Sequence, residues 1–277
     1  MEGIIRICRG FEYYQKQYFR QIFRDIELGK LVFNINIIYF MSQVKREVKM
    51  ENNHFQYIGK GIYSINDVFT FTSVNKRKIR SWMKNSGNGS PKLIQGDYGL
   101  IDDTYSLSFL DMIDVLTISR LRDKGVSLQA IRKVYTKLCE MFNTLHPFSM
   151  NKSWTDGRGI WIDIGHKEQD KKLLNLLKDR YEFHQIVTDF LDEVDIGKDD
   201  FAKRWWPMSK KEEVVIDPMR KFGQPIVNIE GIPTIVIANT AKAEGSISKS
   251  ANWYGVSIES ARSACKFEEQ LTKRIAA

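Results

Sequence analysis

Tyr63-Ser64-Ile65-Asn66-Asp67-Val68-Phe69-Thr70-Phe71-Thr72-Ser73-Val74-Asn75-Lys76-Arg77-Lys78-Ile79-Arg80-Ser81-Trp82-Met83-Lys84 is the stretch on which the reading of this chain turns. Ser64 followed three residues later by Asp67 has the form of a capping box, so a short helix carrying Ile65, Val68 and Phe69 starts there. Thr72-Ser73-Val74 reads as a turn, and Asn75 can cap a second helix. At about 100° per residue, Lys76, Arg77, Arg80 and Lys84 fall on one arc of that helix. Ile79 and Trp82 point the other way. One face is therefore predicted to be buried and the other to form a basic ridge. A short helix held by a preceding one is the right size to enter a DNA major groove and aim Arg and Lys at phosphates and guanine edges. Isolated basic faces are more often plain solvated surface, so the context matters. Here it is helix, turn, helix and then Asn85-Ser86-Gly87-Asn88-Gly89-Ser90-Pro91, a Gly/Asn-rich loop that can form a wing.

Working outward, the next segment predicts two longer helices. The first follows Ser106, with Leu107, Leu110, Ile113 and Leu121 inward and Gly125 at its end. The second is capped by Ser127 and carries Leu128, Ile131, Leu138 and Phe142 at helical spacing. Beyond His146-Pro147-Phe148 the pattern weakens. Ile160, Ile162 and Ile164 alternate with Trp161 and Asp163, which predicts a half-buried strand. Leu173 to Leu177 suggest a short amphipathic helix, and Asp192 to Asp200 a solvated acidic loop. Arg204-Trp205-Trp206-Pro207 then reads as either a core plug or a partner anchor. Very short strands around Val214-Val215-Ile216 and Pro225-Ile226-Val227 lead into three helices, Thr234–Glu244, Ser246–Tyr254 and Ser257 to about Lys273, broken at Gly245 and Gly255. The Gly255-Val256-Ser257 link has the length of a second helix-turn-helix.

The predicted class is thus mainly α with small β elements, an α+β chain in four parts. They are an N-terminal extension (1–56), a winged helix-turn-helix domain (57–145), a small α+β middle segment (146–213) and a three-helix domain preceded by short strands (214–277). Met41 and Met50 precede the better-organised region and are candidate starts of the product.

Composition narrows the function classes. The chain has 277 residues, with 42 Lys and Arg against 34 Asp and Glu, a formal charge of +8. The basic excess lies mostly before residue 146, while 146–213 is mildly acidic. Such a balance favours polyanionic partners. Three widely spaced cysteines without a CxxC pair suit a reducing, cytoplasmic setting. The run Leu31 to Met41 is interrupted by Asn34 and Asn36 and too short to span a bilayer. His54, His146, His166 and His184 are scattered, and no HExxH, GxSxG or GK[ST] pattern occurs. Gly157-Arg158-Gly159 is too short to cradle phosphate. Neither catalytic residues nor a metal or cofactor site is therefore expected. A regulator answering a small-molecule effector, and a module whose basic face binds an acidic protein, stay open.

The run Tyr63 to Trp82, together with Leu121-Arg122-Asp123-Lys124-Gly125-Val126-Ser127-Leu128-Gln129-Ala130-Ile131, resembles the MerR-type winged helix-turn-helix. Val214 to Leu271 resembles the domain of unknown function 433. Joined through a Trp-Trp-Pro element, the two resemble the larger VapB-type antitoxins. That resemblance implies a cytoplasmic homodimer that binds its own operator as double-stranded DNA and neutralises a PIN-like ribonuclease toxin. Carried over by position, the DNA-facing residues are Ser73, Asn75, Lys76, Arg77, Arg80 and Lys84. Arg204, Trp205, Trp206, Phe222 and Gln224 are the candidate partner-binding residues. The stretch between Met83 and Gly96 departs from the family by being Gly- and Asn-rich where more basic residues are expected, which puts phosphate contact by the wing in doubt.

Overall fold

The computed structural model describes residues 59–85, 92–101, 104–173 and 192–276. The predicted N-terminal extension, the candidate starts Met41 and Met50, the wing tip and the rest of the Leu173–Leu177 helix lie outside them. The described chain mixes helices with two small antiparallel sheets.

Strand β1 (Tyr63–Ser64) leads into α1 (Ile65–Thr72), and a three-residue turn connects α1 to α2 (Lys76–Met83). The first sheet is completed by β2 (Leu100–Ile101) and β3 (Thr104–Leu107), in the order β1-β3-β2, with Tyr63 opposite Leu107. Helix α3 (Phe109–Asp123) runs through the core, and α4 (Leu128–Phe142) packs beside it. Ser64 and Ser108 each make a complete capping box, with Asp67 and Asp111 respectively. The second box corrects the expected start of α3. Ser106 and Leu107 belong to β3, whose pairing with Ser64 and Tyr63 takes them out of helical conformation.

The predicted strand at residues 160–164 is instead helix α6 (Arg158–Lys167), preceded by the single turn α5 (Lys152–Thr155). The apparent alternation was misleading because the buried positions are Trp161, Ile164 and Gly165, which have helical spacing, while Ile162 is exposed. Two features enforce the helix. Trp161 packs in a three-ring cluster with Trp154 at 5.4 Å and Phe148 at 5.5 Å, the latter two 6.0 Å apart, an arrangement that adds to plain burial. Gly157 lets the backbone close on α4, since a Cβ there would lie 2.6 Å from Leu138 Cδ2 and 2.5 Å from Ser153 O.

The acidic run is also corrected. Within it lies strand β4 (Val194–Ile196), which opens a four-stranded antiparallel sheet with β5 (Ala202–Trp205), β6 (Val214–Ile216) and β7 (Pro225–Val227) in sequential order. Asp195 is tied down by Arg204 at 2.8 Å and Lys210 at 3.0 Å, so the acid has a structural use that a solvated loop would lack. This sheet takes two strands from each side of residue 213. Beyond it come α7 (Thr234–Glu244), α8 (Ile247–Tyr254) and α9 (Ile258–Ala276). Gly245 and Gly255 adopt the left-handed conformation that ends α7 and α8. Small residues, Ala251, Ala261 and Ala264, let the three helices approach closely around Val227 and Ile237.

Helix α9 reaches back to the first part of the chain. Phe267 and Leu271 pack with Val214 against Phe71. The Arg274 guanidinium donates to the carbonyls of Thr70 and Phe71, at 3.0 and 2.7 Å, where the last turn of α1 leaves acceptors without helical partners.

Candidate nucleic-acid interface

The site is helix α2, and its geometry follows from how it is held. Asn75 Oδ1 accepts from the Arg77 amide at 2.8 Å and starts the helix. Ser73 ends α1 in the left-handed region, at φ 63°, and its amide donates to Phe69 O at 2.8 Å. This tight exit sets α2 across α1. Ile79, Trp82 and Met83 are buried in the main core. Beyond residue 91 the amides of Leu93 and Ile94 both donate to Trp82 O, at 2.8 and 3.0 Å. The far end of α2 is fastened by those two bonds.

With that face fixed inward, Arg77, Arg80 and Lys84 are exposed, as the wheel predicts. Lys76 is partly withdrawn. Its ammonium sits 4.8 Å above the Phe69 ring, a cation–π contact, which leaves it half-buried. The sequence reading missed Lys78, which lies outside the four-residue arc yet is equally exposed. The wheel places it about 40° from Trp82, at the edge of the buried face, so rotation alone gave no signal of its exposure. Among the described residues no carboxylate lies within 4 Å of any of these five cations. The side chains of Ser73 and Asn75 stand at the exposed entrance of the helix, with the Asn75 oxygen occupied by its cap.

Behind α2 lies a buried charge cluster that no sequence motif announced. His146 stands 3.2 Å from Asp97, 3.5 Å from Asp111 and 3.4 Å from Asp114. Burial alone would lower the imidazole pKa, but Asp114 and Asp97 raise it to about 10, so the ring is cationic at neutral pH. Burial pushes the carboxyls of Asp111 and Asp114 upward, and the His146 charge opposes that. For Asp97, burial is outweighed by the bond and charge of His146 and by Lys60, which hold it well below the usual range. Asp111 also accepts from the Asp97 and Ser108 amides, at 3.2 and 2.9 Å. The cluster therefore pins the segment returning from α2 to the start of α3. A hint was present in Asp111 and Asp114, three apart, in the otherwise apolar first half of that helix.

The five candidate partner-binding residues are not brought together in one way. Trp205 and Trp206 are buried, and their indole N–H groups donate to Glu193 at 3.2 Å and Asp195 at 3.0 Å. Trp205 packs into the main core and Trp206 against Val215 and Ile226, so neither indole is exposed as an anchor in this conformation. Arg204 is half-buried, bound to Asp195 and lying 5.6 Å from the Trp206 ring. Phe222 and Gln224 are exposed on the turn between β6 and β7. Among the described residues no group of three His, Cys, Asp or Glu is arranged to hold a metal ion, and no helix is long and apolar enough to cross a membrane.

No family model matches the chain. Its sequence is 24% identical, over 167 residues, to a protein of Mycobacterium tuberculosis (strain H37Rv) that carries the name antitoxin VapB45. The match covers 57% of this chain and 70% of that protein. Among solved structures the chain resembles the crystal structure of Rv2018 from Mycobacterium tuberculosis, with a TM-score of 0.60 at 21% identity. That likeness covers 73% of this chain and 96% of the other. At this identity it establishes a common fold.

Proposed function

We propose that this chain is a DNA-binding antitoxin of a type II toxin-antitoxin system, repressing its own operon and neutralising a PIN-like ribonuclease toxin by direct binding. The observation that carries the DNA arm is α2. Its apolar side is docked in the core, both ends are hydrogen-bonded, and Arg77, Lys78, Arg80 and Lys84 are presented to solvent without competing acids among the described residues. Rigid presentation matters because groove contacts reward side chains that need no reorganisation on binding. In this reading α1 and α2 form the helix-turn-helix, α2 enters the major groove, and a homodimer places two such helices about 34 Å apart on an inverted repeat. The toxin arm is supported by the distant similarity to VapB45.

The test is a titration of the protein with the DNA upstream of its own gene. Wild type should bind with a preference over random duplex, and Arg77→Ala with Arg80→Ala should weaken binding by two orders of magnitude or more, at about 1–3 kcal/mol per base-contacting side chain. Unchanged affinity in the double variant would remove α2 as the reading element.

A further inference from the structure

The turn Asp217–Gln224, between β6 and β7, combines three properties that folding alone does not call for. Phe222 is 90% exposed and Met219 73% exposed, the two most exposed large apolar side chains among the described residues. Lys221 and Phe222 both have left-handed backbones, at φ 47° and 56°, a conformation disfavoured for residues with a Cβ. The strain is nevertheless held in place. Asp217 accepts from the Met219 amide at 2.9 Å, Arg220 donates to Asn228 O at 2.8 Å, and the buried Tyr63 hydroxyl donates to Gly223 O at 3.0 Å. Gly223, at φ 80°, lies so close that a Cβ would come to 2.1 Å from Tyr63 Oη. Strained conformations that the surroundings enforce are found where a side chain must be displayed for a ligand or partner.

The ground beside the turn extends the surface. The segment Gly59–Tyr63 runs beneath it, with Gly59 against Met219 and Tyr63 against Gly223. Next to Met219 opens a hollow of about 310 Å³, with Phe109, Leu110, Ala202 and Pro218 in its wall, where Lys60 is paired with Asp97 and Lys203 with Asp199. Lys221 is exposed on the turn itself, with no carboxylate within 4 Å among the described residues. The result is an apolar knob, carrying the unpaired Lys221, beside a hole whose wall is mostly apolar and whose lysines are paired with acids.

We propose that this knob and hole are where the toxin protein docks. Phe222 enters an apolar socket on the partner, whose rim is acidic where it meets the unpaired Lys221. This placement rests on the antitoxin reading above. A preformed aromatic on a clamped turn binds without an ordering cost, and aromatic anchors of this kind dominate interface energetics. The charge rim accelerates encounter more than it adds affinity.

The experiment titrates the full-length chain with the purified product of the reading frame adjacent to its own gene. Wild type, Phe222→Ala, Lys221→Glu and, as a control on a different exposed aromatic, Trp253→Ala are compared. Binding by wild type, with at least about 30-fold weakening in Phe222→Ala, slower association in Lys221→Glu and less than about three-fold change in Trp253→Ala, supports the placement. Unchanged melting temperature and upstream-DNA affinity of Phe222→Ala show that the loss is local. If wild type binds and Phe222→Ala binds equally well, the docking proposal is overturned and the antitoxin reading stands. If the neighbour does not bind wild type at all, the antitoxin reading itself fails and takes this proposal with it.

Discussion

His146→Ala tests how α2 is supported from behind. The imidazolium lies within 3.5 Å of three carboxylates, two of which, Asp111 and Asp114, have fully buried side chains. Removing it leaves those two groups either charged without a cation or forced to bind protons. Breaking a buried pair by removing one partner costs about 3–5 kcal/mol. For a body of this size that lowers the melting temperature by roughly 6–20 °C at neutral pH. The pH dependence gives a second, sharper signature. Because the folded-state pKa of His146 is raised to about 10 from an unfolded value near 6.5, its stabilisation is complete below the unfolded value. It is then lost as pH rises between the two. Asp97, held low, contributes in the opposite sense, present at neutral pH and lost as acid protonates it. Asp111 and Asp114, pushed upward by burial, cost most when ionised, so the gap between variant and wild type should narrow as pH falls. Thermal melts of both proteins between pH 5 and 10, with a pH-dependent gap, are the expected result. A variant melting within 2 °C of wild type at every pH would refute the reasoning.

Other perturbations probe separate joints. Gly223→Ala places a methyl group inside the Tyr63 hydroxyl on a left-handed residue, so it should destabilise by about 2 kcal/mol or more, read by urea melts. Asn75→Ala removes the cap of α2 and should cost about 1 kcal/mol, with helix content in the far-ultraviolet nearly unchanged. Trp82→Ala empties a core position that also carries the anchored carbonyl, and a loss of about 3–5 kcal/mol is expected in chemical denaturation.

The elements that the sequence made legible are those whose ends and faces are written locally. Ser64 with Asp67, Asn75, Ser127, Gly125, Gly245 and Gly255 each act on backbone groups within a few residues, and α1, α2, α4, α7, α8 and α9 form at or close to the expected limits. The basic ridge was legible for the same reason, because Ile79 and Trp82 fix the rotation of a short helix. What was not legible depends on distant partners. The helix at Arg158–Lys167 is decided by Phe148, Trp154 and Leu138, which supply its packing surface, whereas three alternating isoleucines suggested a strand. Strand β4 exists because Trp205, on β5, pairs with Val194, and its one acid, Asp195, is neutralised by Arg204 and Lys210. The His146 cluster joins residues up to 49 positions apart with no shared motif. The exposure of Phe222 depends on Tyr63, 159 residues earlier, gripping the neighbouring glycine.

The central claim is that the exposed cations of α2 neutralise DNA phosphates or read base edges. Its most direct test is the salt dependence of affinity for the upstream duplex, measured for wild type and for Arg77→Ala with Arg80→Ala. If Arg77, Lys78, Arg80 and Lys84 of both protomers in a dimer engage phosphates, the slope of log K against log salt is about −7, and it falls to about −4 in the double variant. Equal slopes together with equal affinities in the two proteins would contradict the account.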